Sequence, residues 1–305
     1  MIVRPRPGAF AILFALRGSI LPQIAPQVIG LTAVACLVVA TEQGWAHAIP
    51  LNAGIGPFTL IGLALSIFLS FRNNACYDRW WEARKVWGSL IVEARSLARL
   101  LGALLPEGEE ARRRRCLNRL AGFAHALHAR LRGRDAAVAA AHFLPEAERG
   151  RLPACASPAD AALSNLAADL GEALRQGTLS DVSFGLMEQK LAGLSGVQAA
   201  CERIQGTPLP FAYTLLLYRT AWLYCLLLPF GLAASLGWGT PVATALVAYT
   251  FFGLDALGDE LEEPFGAAAN DLPLDALLRT VDRVVQDALG EPVPPPLEPE
   301  RYWLR

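Results

Sequence analysis

Charge is absent from three windows of the chain, residues 18–41, 49–71 and 220–254. A helix that crosses a bilayer needs roughly 20 apolar residues. The first two windows each fit one crossing. The third is too long for one and is split by Gly237-Trp238-Gly239-Thr240-Pro241, a turn signal beside an interfacial aromatic. The pattern therefore predicts four spans, near residues 24–44, 53–72, 210–236 and 241–257. The second is unusual at its inner end. A membrane helix normally stops at its first charges, yet no Gly or Pro interrupts the chain from Leu63 to Trp87. One helix is expected to leave the bilayer at Phe71-Arg72-Asn73-Asn74 and continue into charged, aromatic sequence, a shape that suits the lining of a pore.

Between the apolar pairs the pattern is that of soluble helices. Residues 91–105, 112–132, 158–175 and 181–203 are rich in Ala, Leu and Arg at helical spacing. Residues 133–157 read as a looser connection, and Ser180 as a cap for the helix that follows. No stretch alternates convincingly enough for a strand, and no internal repeat is found. The proline-rich tail after Gly290 is expected to be extended, with Tyr302 and Trp303 docked on protein.

Composition agrees with a membrane protein that has a large soluble part. Hydrophobic residues make up 53% and charged residues 18%, against about 25% charged in ordinary soluble domains. A net charge of −1 gives no reason to expect nucleic acid as a partner. Lys and Arg predominate across residues 72–151 and acids after residue 255, a split that suits ion pairing or ordinary solvated faces equally. Residues 42–57 and the hairpin turn carry no Lys or Arg. Arg4, Arg6 and Arg17 precede the first span, and Arg72, Arg79, Arg84 and Lys85 follow the second. By the positive-inside rule both termini and residues 73–207 and 258–305 are expected in the cytoplasm. No cleavable signal pattern is present, so the first span is expected to remain.

Three motifs resemble the bacterial bestrophins: Phe71-Arg72-Asn73-Asn74 through Arg79-Trp80-Trp81-Glu82-Ala83-Arg84 to Trp87-Gly88; Thr207-Pro208-Leu209-Pro210-Phe211-Ala212-Tyr213; and Glu260-Leu261-Glu262-Glu263-Pro264-Phe265-Gly266 followed by Asn270-Asp271-Leu272-Pro273-Leu274. They occur in family order across nearly the whole chain. The resemblance implies a single channel domain over residues 1–305, an all-α integral membrane protein of the bacterial inner membrane. Each subunit would have four transmembrane helices and a cytosolic helical bundle, and a homopentamer would enclose one central pore. Its partners would be further copies of itself, lipid and permeating monovalent ions, with no cofactor and no chemical step.

Leu63, Ile67 and Phe71 recur four apart and share one face of the second span. By spacing alone that stripe suits packing against neighbouring spans or lipid; by resemblance it matches the family's hydrophobic neck. Apolar rings of this kind block ions when dry. Ser66 and Ser70 lie off the stripe and are expected to bond to backbone. Val182 falls where the family places an aperture at the cytosolic exit, although a buried contact in the first turn of a helix fits as well. Only Phe71 of the three neck residues offers an electropositive ring edge to an anion, and no Lys or Arg lies on the stripe. Animal bestrophins are anion channels; here the expectation leans to small cations.

Asp255, Asp259, Glu260, Glu262 and Glu263 invite a calcium reading. Animal members place a dense acidic stretch after Pro-Phe-Gly, where this chain has Ala267-Ala268-Ala269, leaving Asn270 and Asp271 as oxygen donors. Pairing of the acids with the helix that carries Arg79 and Arg84 is the expectation instead. The six cysteines form no Cys-x-x-Cys pair and read as small buried thiols. His125 and His128 stand three apart with no supporting ligand nearby in sequence. The run Arg112–Arg115 reads as a solvated or lipid-facing helix end, and Trp80-Trp81 as a packing or headgroup anchor. Nothing matches a catalytic triad, a phosphate loop or a dinucleotide fingerprint, so an enzyme is not expected. A multi-span transporter, or a scaffold binding a cytosolic partner, is the alternative, and the first two spans lack the interior charges a transporter would use.

Overall fold

A computed structural model of the chain describes residues 1–4, 8, 10, 15, 18–44 and 56–305. Arg6, Arg17 and nearly all of the first connecting loop lie outside the described residues, as does the predicted start of the second span at 53–55. Among the described residues the fold is helical, with isolated bridges only at the chain ends (Ile2 to Trp303 and Glu300 to Trp303). The chain divides into two compact units: residues 4–80 with 208–263, and residues 81–207 with 264–305 and 1–3.

The first unit is built from α1 (Leu21–Gly44), the first half of α2 (Gly56–Leu104), α8 (Phe211–Leu236) and α9 (Thr240–Glu262). Three stretches are long and apolar enough to cross a membrane by length and composition: Leu21–Thr41, Phe58–Leu104 and Phe211–Glu262. The third consists of α8 and α9 joined by a 3₁₀ turn at Gly237–Gly239. Gly237 takes φ +48°, and Pro241 starts α9 where an N–H is not needed. The core joins Ile24, Leu31, Leu65, Leu69, Cys225 and Phe252. Two glycines allow α2 and α8 to meet closely. A Cβ on Gly62 would lie 2.7 Å from the Tyr224 hydroxyl, and one on Gly231 2.5 Å from the Phe58 ring. Hydroxyls in these helices bond to backbone one turn earlier, Ser66 to the Gly62 carbonyl at 2.8 Å and Thr32 to that of Val28 at 2.7 Å.

The second unit is organised around α3 (Glu110–Leu131), which buries Cys116, Leu117, Leu120, Phe123 and Leu127. Around it lie α6 (Pro158–Arg175), α7 (Asp181–Gly206), α10 (Leu274–Leu289) and the second half of α2. The starts of α6 and α7 follow from their caps: Ser157 accepts from the Asp160 N–H and Ser180 from that of Ser183. Residues 91–105 are no separate helix but the end of α2, whose buried residues Ala83, Trp87, Leu90, Ala94, Leu97 and Leu101 carry a three–four spacing straight through Gly88. The looser connection at 133–157 is likewise corrected. It contains α4 (Ala136–Ala141), started by Asp135 accepting from the Ala137 and Val138 N–H groups, then α5 (Glu146–Arg149) and a 3₁₀ turn at Leu152–Ala154. After Gly290, whose φ of +70° ends α10, the tail is extended. Trp303 is half-buried and paired with Ile2, whereas the Tyr302 side chain is 45% exposed.

Candidate functional site

Along its membrane-type half, α2 buries Gly62, Leu65, Leu69, Arg72 and Cys76 against its own unit. At 100° per residue these five fall on one side of the helix, and the stripe Leu63, Ile67, Phe71 is centred about 180° away. The three stripe residues are 60%, 47% and 61% exposed. They thus lie on the side of α2 turned away from the described residues of its own unit. Leu60, seven residues before Ile67, projects within about 20° of it and is exposed, as are Ile61 and Phe68 on one flank, so on this half most of the helix surface is left without cover from the described residues of its unit. Asn74 and Asp78, seven and eleven residues past Ile67, project within about 20° of it and are exposed. Neither was singled out from sequence, although the same helical count that finds the stripe also finds them.

Arg72 anchors the opposite side. Its side chain is fully buried. Nη1 donates to the Asp255 carboxylate at 2.9 Å and to the Asp255 carbonyl at 3.2 Å; Nη2 bonds to Asp259 and reaches Glu262 at 3.4 Å. Arg79 Nε donates to the Glu262 carbonyl at 2.6 Å, and the Leu209 N–H to the Glu262 carboxylate at 3.0 Å. All three sequence motifs meet in this knot: the first supplies Arg72 and Arg79, the second Leu209, the third Glu262. Gly258 makes room for it, since a Cβ there would sit 2.9 Å from Arg72 Nη1 and 2.6 Å from Asn73 Oδ1. The expected pairing of the acidic run with this helix is therefore present, with Arg72 at its centre and Arg79 bonded to the Glu262 carbonyl.

Val182 lies in the other unit, at the second residue of α7. It is 75% exposed, which rejects a buried contact in the first turn. Leu186, one turn on, is also exposed.

The remaining candidates are tied into packing. No group of three or more His, Cys, Asp or Glu able to hold a metal occurs among the described residues. His125 and His128 do have acidic partners, at 2.7 Å each, but these are Asp282 and Asp275 on α10. Asp271 is buried and accepts from the Ala268 N–H at 2.6 Å. The Arg112–Arg115 run is not a free solvated face: Arg112 is buried against Glu109 and Gln176, Arg114 pairs with Glu291, and Arg115 meets Asp169 at 3.1 Å. Burial pushes the Cys116 and Cys201 thiols up to about 12, so both are inert. Trp81 is 45% exposed, while Trp80 stacks with Tyr77 at 6.4 Å.

The family described as bacterial/fungal bestrophin protein matches residues 1–287. The chain belongs to the bestrophin family. A voltage-dependent anion channel-forming protein of Mesorhizobium japonicum is 46% identical to it over 304 residues, covering 100% of this chain and 97% of the relative. One of the same description from Escherichia coli is 38% identical over 99% of both. The crystal structure of a bacterial bestrophin homologue from Klebsiella pneumoniae superposes with a TM-score of 0.82 at 37% identity, over 88% of this chain and 99% of that one. This bestrophin is thus a helix-dominated membrane protein, and its family is one named for channels and not for enzymes.

Proposed function

We propose that the chain is one subunit of a homopentameric channel that passes small monovalent ions passively down their gradients. Four spans per subunit would place both termini in the cytoplasm of a bacterium, with the assembly in the inner membrane. Leu63, Ile67 and Phe71 would form three stacked apolar rings, the neck, and Val182 the cytosolic aperture. The observation that carries the reading is the placement of the stripe. An exposed apolar face set diametrically opposite the helix's own anchoring side is what a ring of copies around an axis requires, the flanks then being covered by neighbours or lipid. The relatives described as anion channel-forming support conduction, and disfavour a transporter or scaffold.

On selectivity the residues point away from the relatives' description. The stripe has one aromatic ring per subunit and no cation, and its next exposed residues inward are Asn74 and the acid Asp78. The channel is accordingly expected to favour small cations weakly, and to need no calcium. Planar-bilayer recording of the purified protein in asymmetric salt tests the first, and calcium titration of the current, with no response expected, tests the second. A reversal potential near that of chloride removes the cation preference. Replacing Leu63, Ile67 and Phe71 together by Ala is expected to raise flux in vesicles; unchanged flux would mean the stripe packs elsewhere.

A further inference from the structure

In the second unit, where α3 ends and the 264–272 loop passes, lies a cavity of about 150 Å³. Its charged lining comes from Arg132, Arg134, Arg305, Asp275 and the Met1 amino group, which donates to the Leu304 carbonyl, and the backbone-rich segment Gly266–Ala268 lines it too. Arg132 stands out for what it lacks. Its Nη2 reaches the Leu272 carbonyl only at 3.5 Å, while Nε and Nη1 are buried with no hydrogen-bond partner among the described residues. Nearby carboxylates do not fill the gap. Asp275 is engaged by His128 at 2.7 Å, and Asp271 accepts from the Ala268 N–H. Arg305 lies over the Trp303 ring at 5.0 Å. Neither Arg132 nor Arg134 has a carboxylate within ion-pair distance among the described residues.

We propose that this cavity binds a small oxyanion, phosphate-like in charge and shape, held by the Arg132 guanidinium with Arg134 and Arg305 around it. Nε–H on the side edge of this half-buried guanidinium and Nη1 at its end are both unpartnered, and Nη2, which completes a fork with either, meets only the distant Leu272 carbonyl; carboxylates and phosphates accept from such forks. Leaving such donors unsatisfied is destabilising, and more so for charged groups. Burial holds Arg132 below its ordinary value; Asp275 and Asp271 pull it back up and Arg134 adds to the lowering. Its positive charge is therefore incompletely compensated by the protein. Size sets the class: the space is on the order of five waters' share of liquid, well below the roughly 300 Å³ at which drug-sized ligand pockets begin. That suits a free oxyanion or the phosphate end of a simple monoester, and excludes a nucleotide.

Equilibrium dialysis of radiolabelled orthophosphate against the full chain in detergent, at ionic strength fixed with sodium chloride, tests the idea. About one site per chain is expected, with methyl phosphate as competitor. Competition by methyl phosphate assigns the site to monoester ends as well as to free anion, and its failure restricts the site to the free anion. Arg132→Gln is expected to weaken binding about ten-fold or more, as loss of a charged hydrogen-bond donor does, and Arg134→Gln by a smaller factor. Absence of stoichiometric binding to the wild-type chain overturns the proposal whether or not the Arg132 variant folds. Binding that survives both substitutions overturns it equally.

Discussion

Each unit contains a buried cluster of charges, and these two are built in opposite senses. In the first, a single cation, Arg72, gathers Asp255, Asp259 and Glu262. In the second, a single acid, Asp169, is shared by Arg115 and Arg119, and Arg119 also holds Glu148. The difference teaches where each cluster is fragile. Asp255, nearly as buried as its partner, depends on that guanidinium, whereas Asp259 is 60% exposed and Glu262 also accepts from the Leu209 N–H. In the second, Arg115 is 41% exposed at its side chain and can turn to water, while Arg119 keeps a second acid.

Removing Arg72 should therefore have the largest effect. Arg72→Ala leaves a buried carboxylate uncompensated, a loss of about 3–5 kcal/mol in comparable cases. It also detaches α2 from α9 at the residue that fixes which way the stripe faces. The expected result is a poorly folded or aggregated particle on size exclusion in detergent. A variant with the wild-type melting temperature would mean the knot is dispensable. Crowding the same knot is a gentler break. Gly258→Ala puts a methyl group where Arg72 Nη1 and Asn73 Oδ1 now lie, an overpacking expected to cost about 1–3 kcal/mol. Gly258→Ser, no smaller, should be no better in the same melt.

How much of this was legible in the sequence differs between the two clusters. Arg72 was visible as the first charge after an uninterrupted apolar window, and its direction away from the stripe follows from one step of helix rotation. The acids were visible as a run, and pairing with this helix was expected, but not that Arg72 would be its centre; local spacing says which face a residue takes, and nothing about its opposite number 183 positions on. The second cluster left less trace. Arg115 meets an acid 54 residues away on another helix, so the Arg112–Arg115 run looked like a solvated face. His125 and His128 appeared unsupported for the same reason, their acids lying 157 and 147 residues downstream. Helix starts fared better because caps are local: α6 and α7 begin one residue after Ser157 and Ser180. The short helices α4 and α5 were missed, being too short to display a period.

Asp169 gives the next smaller break. Burial tends to raise its carboxyl, but hydrogen bonds from Arg115 and Arg119 outweigh that and hold it below its ordinary value. A carboxylate lowered on folding contributes stability that is present above the unfolded value of about 3.9 and is lost as pH falls through the lower folded value. The Asp275 carboxyl, lowered chiefly by its hydrogen bond with His128 and against the effect of burial, adds to the same trend. Asp169→Asn should thus melt below wild type by about 1–3 kcal/mol of stability at neutral pH. The gap should stay level down to about pH 5 and narrow below pH 4. A gap that is unchanged at pH 3 would show that the charge of Asp169 is not what stabilises the cluster.

The smallest expected effect bears on the stripe side of α2, where charge would act on ions instead. Asp78 shares the projection of Ile67 and is exposed; in a five-fold ring it would set five carboxylates just inside the neck. Rings of acidic side chains favour cations in pores, so Asp78→Asn should move the reversal potential in asymmetric salt toward that of chloride without changing stability. The displacement should correspond to about a two- to five-fold change in the cation-to-anion permeability ratio, because exposed charges are partly screened. That screening supplies the decisive control. At about 1 M salt the Debye length falls to roughly 3 Å, and the difference between wild type and Asp78→Asn should shrink with it. A difference independent of salt would place the effect in altered packing, and no difference at any salt would put Asp78 away from the ion path, and the face it shares with Ile67 away from the axis.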